Sequence, residues 1–132
     1  MKYKYLGNSK IKVSSICLGT MTFGEQSSIH ESYRMMDYAY EKGVNFFDTA
    51  EIYPVYPKRE TAGKTEEIIG DWIQTKKNRK KIIIATKIAS GHPKGVGATG
   101  LKWIRGGFKK LGFDKKNINE AIEGSLKRLK TD

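Results

Sequence analysis

Cysteine occurs once in these 132 residues, at Cys17, so no disulfide within the chain can staple the fold. That usage fits a reducing compartment, and the expected location is cytoplasmic. Cys17 sits in a short apolar run and is expected to be a small buried hydrophobe. Long hydrophobic runs are missing as well. None approaches the roughly 20 residues that span a bilayer, and the opening MKYKYLGNSK lacks the apolar stretch of a signal peptide. No membrane partner is expected. Acidic residues are scarce, 14 against 25 basic ones, for a formal net charge of +11. Such an excess raises the question of a nucleic-acid partner. The charges are scattered, however, and the densest cluster, residues 76–81, falls where a helix should give way to a strand. Lysines there favour the helix dipole and stay solvated, so the simpler expectation is no nucleic acid. Internal repeats and low-complexity tracts are absent, and so is the G-x-G-x-x-G phosphate fingerprint.

What is present is alternation. Residues 2–13 read as a hairpin, with Tyr3 and Tyr5 alternating with lysines, a turn at Gly7-Asn8-Ser9, and Ile11 and Val13 on the return. Residues 15–18 form a short apolar strand, followed by a loop with Gly19 and Gly24 at its ends. Glycines around Thr20 and Met21 let backbone approach a flat ligand closely. Ser28 with Glu31 makes a capping box and opens a helix whose Tyr33, Met36, Ala39 and Tyr40 recur at helical spacing, with Met35 beside them. Gly43 closes it. His30, in the first turn, is expected on the surface. Residues 43–53, GVNFFDTAEIY, start as a buried strand and break into polar residues at Asp48. Thr65 is the expected cap of a second helix, with Glu66 and Glu67 favourable in its first turn and Ile68, Ile69, Trp72 and Ile73 on its apolar face. A third buried strand, residues 81–86, ends at Lys87. Residues 89–113, rich in glycine and lysine and holding His92, Pro93, Trp103 and Arg105, have no clear period. A loop of that length is often functional. A last helix is expected from Asn117 or Asn119, with Ile118, Ile122, Ser125 and Leu129 on one face.

Buried strands alternating with helices of about ten residues predict parallel strands. Three strand ends, at Gly19-Thr20, Asp48 and Lys87, then share one edge, the edge where such sheets place their chemistry. Tyr53 hangs from the loop after the second. A cation beside a phenol favours its ionised form, so the phenol gives its proton more readily to a developing alkoxide. An aspartate paired with that cation holds it in place. The trio suits protonation of a carbonyl oxygen while a cofactor delivers hydride to the carbon. The plainer readings are a turn-capping Asp48, a half-exposed Tyr53 and a simple Asp48–Lys87 ion pair at the strand ends.

These stretches resemble the aldo-keto reductases, essentially from end to end. YLGNSKIKVSSICLGTMTFG resembles that family's entry hairpin and first strand, GVNFFDTAEIYP its signature, and IIIATK the strand leading to its lysine. NINEAIEGSLKRLKTD resembles the helix before its fourth strand, and YPVYPKRETAGKTEEIIGDWI is most similar to the Tas-like branch. The resemblance implies an α/β fold, the N-terminal portion of a (β/α)8 TIM barrel with a leading β-hairpin and about three βα units. Residues 1–132 would form an incomplete part of that domain, since a closed barrel takes ~250 residues. It further implies NADPH (NADP) as cofactor and an aldehyde or ketone as small-molecule substrate, reduced to an alcohol.

In that mechanism the catalytic residues are Tyr53 as general acid, Lys87 as the cation favouring its ionisation and Asp48 as the residue orienting Lys87. Gly19, Thr20 and Met21, with Asp48, fall at positions near the nicotinamide ribose. No metal is implied. The family's catalytic histidine lies on the fourth strand, which would begin just after Asp132, and His92 does not replace it. The phosphate-binding loops are later still. The expectation is therefore a truncated front part, inactive alone, whose uncovered sheet edges invite aggregation. The alternative is a non-catalytic barrel protein of regulatory or accessory type that binds a nicotinamide cofactor.

Overall fold

The computed structural model describes residues 1–89, 104–106 and 112–132. Strands β1 (Tyr3–Tyr5) and β2 (Lys12–Ser14) form the antiparallel leader hairpin, with Tyr3 opposite Ser14. Gly7 takes a φ of 56° at its turn, a backbone state that suits glycine. The chain then alternates: β3 (Leu18–Gly19), α1 (Ile29–Glu41), β4 (Phe46–Asp48), α2 (Lys64–Lys76), β5 (Ile83–Ala85) and α3 (Lys115–Leu129). Strands β3, β4 and β5 pair in that order, and both pairings are parallel. A parallel sheet built by βα alternation is the fold the residue pattern implied.

The register divides the sheet into two faces. Leu18, Phe47 and Ile84 stand side by side in one row, and Gly19, Asp48 and Ala85 in the next. Successive side chains of a strand point to opposite faces, and the first row packs into the core. Phe47, Trp72, Met36, Ile69 and Leu129 are buried there, with Leu18 and Ile84 against them. Trp72 lies at its centre, its ring 5.6 Å from Phe47 and 5.9 Å from Tyr40. The second row carries Asp48 to the opposite face. No described helix rests on that face, and β5, which pairs with a strand on one side only among the described residues, is half-buried along its length rather than buried as its composition predicts.

Helix α1 begins as expected. Ser28 and Glu31 form the reciprocal capping box, and Gly43, at φ 85°, ends the helix. The other two starts differ from expectation. Thr65 does not cap α2, because its hydroxyl donates to the carbonyl of Phe23 at 2.8 Å. The N–H groups of Gly63 and Thr65 instead find the carbonyl of Tyr53, at 3.0 and 3.4 Å. Helix α3 begins before Asn117 because Asp114 accepts from the N–H groups of Lys116 and Asn117. Its inward stripe is Ala121, Ser125 and Leu129, while Ile122 is exposed. The spacing of Ala121, Ser125 and Leu129, four residues apart, is one helix face, and Ile122 lies beside it. Of the long loop 89–113, residues 90–103 and 107–111, including His92, Pro93 and Trp103, lie outside the described residues.

Candidate active site

Parallel pairing brings the ends of β3, β4 and β5 to one edge. Asp48 is the last residue of β4 and lies beside Gly19 and Ala85. Lys87 is two positions past Ala85, so strand alternation returns it to the Asp48 face. Its Nζ donates to Asp48 Oδ1 at 2.6 Å and to the carbonyl of Thr49 at 2.7 Å. The same Nζ stands 4.9 Å from the centre of the Tyr53 ring. One ammonium thus touches a carboxylate and a phenol ring whose residues lie 39 and 34 positions away in sequence. Partial burial works against the charge on Lys87. The hydrogen bond and charge of Asp48, with a further contribution from Tyr53, outweigh it and hold the ammonium above the ordinary lysine range.

Tyr53 is fixed by its backbone. Its N–H donates to Ala50 at 3.1 Å, and its carbonyl accepts from the first turn of α2. The loop that follows is tied to the loop after β3, since Val55 N–H donates to the carbonyl of Met21 at 2.9 Å. Gly19 faces open space, with nothing within 4 Å of where a Cβ would stand. Met21 is exposed. Thr20 is fully buried, and its hydroxyl donates to the Asp48 carbonyl at 2.7 Å. Its side chain therefore ties β3 to the end of β4. The structure brings Asp48, Tyr53 and Lys87 together with Gly19 and Met21 nearby, and it places Thr20 beneath them.

Cys17 contradicts its expected burial, because it is exposed. It precedes β3 on the alternation that leads to Gly19, the face no described helix covers. Partial burial and then the Asp48 charge push its thiol up, and Lys87 works the other way. This places Cys17 within electrostatic reach of the Asp48–Lys87 pair, a neighbour the apolar run around it does not reveal. Two buried carboxylates were also invisible in the residue pattern. Glu51 and Glu66 each meet a partner distant in sequence, Arg105 and Arg128, and no local spacing announces such pairs. Among the described residues no His, Cys, Asp and Glu side chains gather as a metal set, and no helix is long and apolar enough to cross a membrane.

Residues 15–132 match the aldo/keto reductase family. The chain belongs to that family. Protein tas of Escherichia coli strain K12 is 43% identical over 132 residues, which is all of this chain and 36% of that protein. The uncharacterized oxidoreductase YrpG of Bacillus subtilis strain 168 is 42% identical over 133 residues, again all of this chain and 37% of the relative. Among solved structures, the holo form of the aldo-keto reductase AKR11C1 from Bacillus halodurans is similar at a TM-score of 0.73 and 32% identity, covering 100% of this chain and 37% of the other. The thermostable aldo-keto reductase Tm1743, solved with the inhibitor epalrestat, gives 0.70 and 26%, with coverage of 100% and 40%. The chain spans little more than a third of the length of the curated relatives it matches. Its fold is that of the N-terminal portion of a (β/α)8 aldo-keto reductase barrel.

Proposed function

We propose that the edge carrying Asp48, Tyr53 and Lys87 is the proton-donating side of a carbonyl-reducing active centre that uses NADPH and converts an aldehyde or ketone to an alcohol. The observation that carries this reading is the place of Lys87 Nζ, 2.6 Å from the Asp48 carboxylate and 4.9 Å from the Tyr53 ring centre. Tyr53 donates its phenolic proton to the carbonyl oxygen as negative charge develops there. The Lys87 ammonium stabilises the phenolate left behind. Asp48 keeps Lys87 charged and turned toward the phenol, and the Thr49 carbonyl takes a second ammonium proton in a hydrogen bond.

The residues at this edge fit one end of a flat dinucleotide. The open space beside Gly19 leaves backbone free to approach it, and Met21 and Asp48 flank that space, while Thr20 fixes the strand beneath. When bound, the reduced nicotinamide supplies the hydride that the carbonyl carbon accepts. A free thiol at Cys17 suits a reducing, cytoplasmic setting.

The test is NADPH oxidation with a panel of small aldehydes, using the protein that carries this chain and its Tyr53→Phe variant. The expected result is a loss of 100-fold or more in turnover, on the order of a general-acid contribution, with NADPH binding retained by nicotinamide fluorescence. Equal turnover by the two proteins would remove Tyr53 from the role.

A further inference from the structure

Lys87 leaves its strand two residues after β5 ends, so the β ladder no longer fixes it. Something else must hold residues 86–89, and the structure shows two buried acids doing so. On one side, the Thr86 hydroxyl donates to Glu66 Oε1 at 2.6 Å. Glu66 is fully buried in the first turn of α2, and Arg128 of α3 donates to its other oxygen at 2.7 Å. The guanidinium stem passes over Gly63, where a Cβ would come within 2.6 Å of Arg128 Cδ. On the other side, Glu51 N–H donates to the Lys87 carbonyl at 3.0 Å, and Glu51 Oε1 accepts a short hydrogen bond from Ala89 N–H. Arg105 closes that side, with its NH2 3.5 Å from Glu51 Oε1 and 3.0 Å from the Ala89 carbonyl.

Burying a carboxylate is costly unless it is paired and hydrogen-bonded. Both acids meet that condition by gripping the segment that carries Lys87. We propose that Glu51 and Glu66 are positioning residues for Lys87, clamping residues 86–89 from both sides so that Nζ stays between Asp48 and Tyr53. The inference deepens the functional reading above, because Lys87 matters to it only as the cation beside Tyr53. Neither acid touches a reacting atom.

The experiment reads Lys87 itself. Its Nζ is titrated by NMR in the protein that carries this chain and in its Glu51→Ala, Glu51→Gln, Thr86→Val and Asp48→Asn variants, with folding checked by thermal melts. Asp48→Asn gives the titration of a Lys87 deprived of its acid partner. The clamp predicts that Glu51→Ala moves the Lys87 midpoint at least half of the way to that reference. Glu51→Gln keeps an acceptor for Ala89 N–H while losing the charge, so it should stay with the unchanged chain. A folded Glu51→Ala chain with an unmoved midpoint overturns the proposal. So does a Glu51→Gln chain that shifts as far as Glu51→Ala, since charge alone would then explain both. Should Glu51→Ala fail to fold, Thr86→Val takes its place. It removes only the hydroxyl facing Glu66, and an unmoved Lys87 in that variant overturns the clamp equally. Because no turnover is read, a chain that reduces no carbonyl can still show the clamp, and a reductase can still lack it.

Discussion

Trp72 donates its indole N–H to Asp37 Oδ1 at 2.8 Å, which joins a fully buried side chain of α2 to a half-exposed acid on α1. Lys76, one turn further along α2, reaches the same oxygen at 2.8 Å. The contact satisfies the one polar atom of a ring that is otherwise in the apolar core. It also ties the packing of the two helices to a titratable group.

Removing that acid should be felt in stability. Asp37→Ala leaves the indole N–H without its partner, and an unsatisfied buried donor costs about 1–3 kcal/mol. Asp37→Asn keeps an acceptor and should cost less. Chemical denaturation followed by Trp fluorescence separates the two, and equal stability of all three chains would contradict the role given to this bond.

The same pair sets an acid limit. Partial burial raises the Asp37 carboxyl, but the hydrogen bonds of Lys76 and Trp72 and the Lys76 charge outweigh it and bring it below the ordinary carboxylate range. A lowered folded pKa gives stability that is present above the unfolded value of about 3.9. That contribution is lost as pH falls through the folded pKa. The expected result is a fall in stability on the acid side that is shallower in Asp37→Asn. Melting temperatures between pH 2 and pH 6 check it.

At the other end of the scale, Lys87 is held above the ordinary lysine range, where Asp48 outweighs partial burial. A raised folded pKa gives stability fully present below the unfolded value, about 10.4. It disappears only as pH rises through the folded pKa. The Asp48–Lys87 pair should therefore be intact at every pH where a reductase would work. Its side chains are 40% and 47% exposed, so solvent screening keeps the contribution to about 1 kcal/mol or less. Asp48→Asn should lower the Lys87 midpoint while changing the melting temperature little.

Cys17 reports on the same pair. Partial burial and the Asp48 charge hold its thiol up, and the thiolate is the form that reacts. Alkylation by iodoacetamide at pH 7.5, a chosen assay condition of about one unit below a free thiol's pKa, should be slower than for a free cysteine. Asp48→Asn should speed it, because a repelling charge is removed. An unchanged rate would place Cys17 outside the field of Asp48.

Helices α2 and α3 approach closely, backbone against backbone, at Gly70. A Cβ on Gly70 would stand 2.4 Å from the backbone oxygen of Arg128, and backbone does not yield as a flexible side chain does. Gly70→Ala should cost about 1–3 kcal/mol as overpacking, despite alanine's better helix propensity. Thermal melts check the sign. A stabilised variant would mean that α3 moves away without penalty.

Local chemistry in the sequence determined the elements and their order. The Ser28–Glu31 box, the glycine after α1 and the apolar runs before Asp48 and Lys87 are short-range signals, and each acts through its own backbone. Alternation of strands and helices then placed three strand ends on one edge, which made Asp48 and Lys87 legible as neighbours before any coordinates. Tertiary structure decided the rest. Thr65 looked like a cap until Phe23, 42 residues away, claimed its hydroxyl. Cys17 looked buried until the sheet left its face uncovered by any described helix. Glu66 is legible in the sequence only as a first-turn acid and nothing there marks Glu51, while Arg128 and Arg105 make both of them buried partners. Each of these outcomes depends on groups far apart in the chain, and a contact between such groups leaves no period, spacing or cap to read in the sequence.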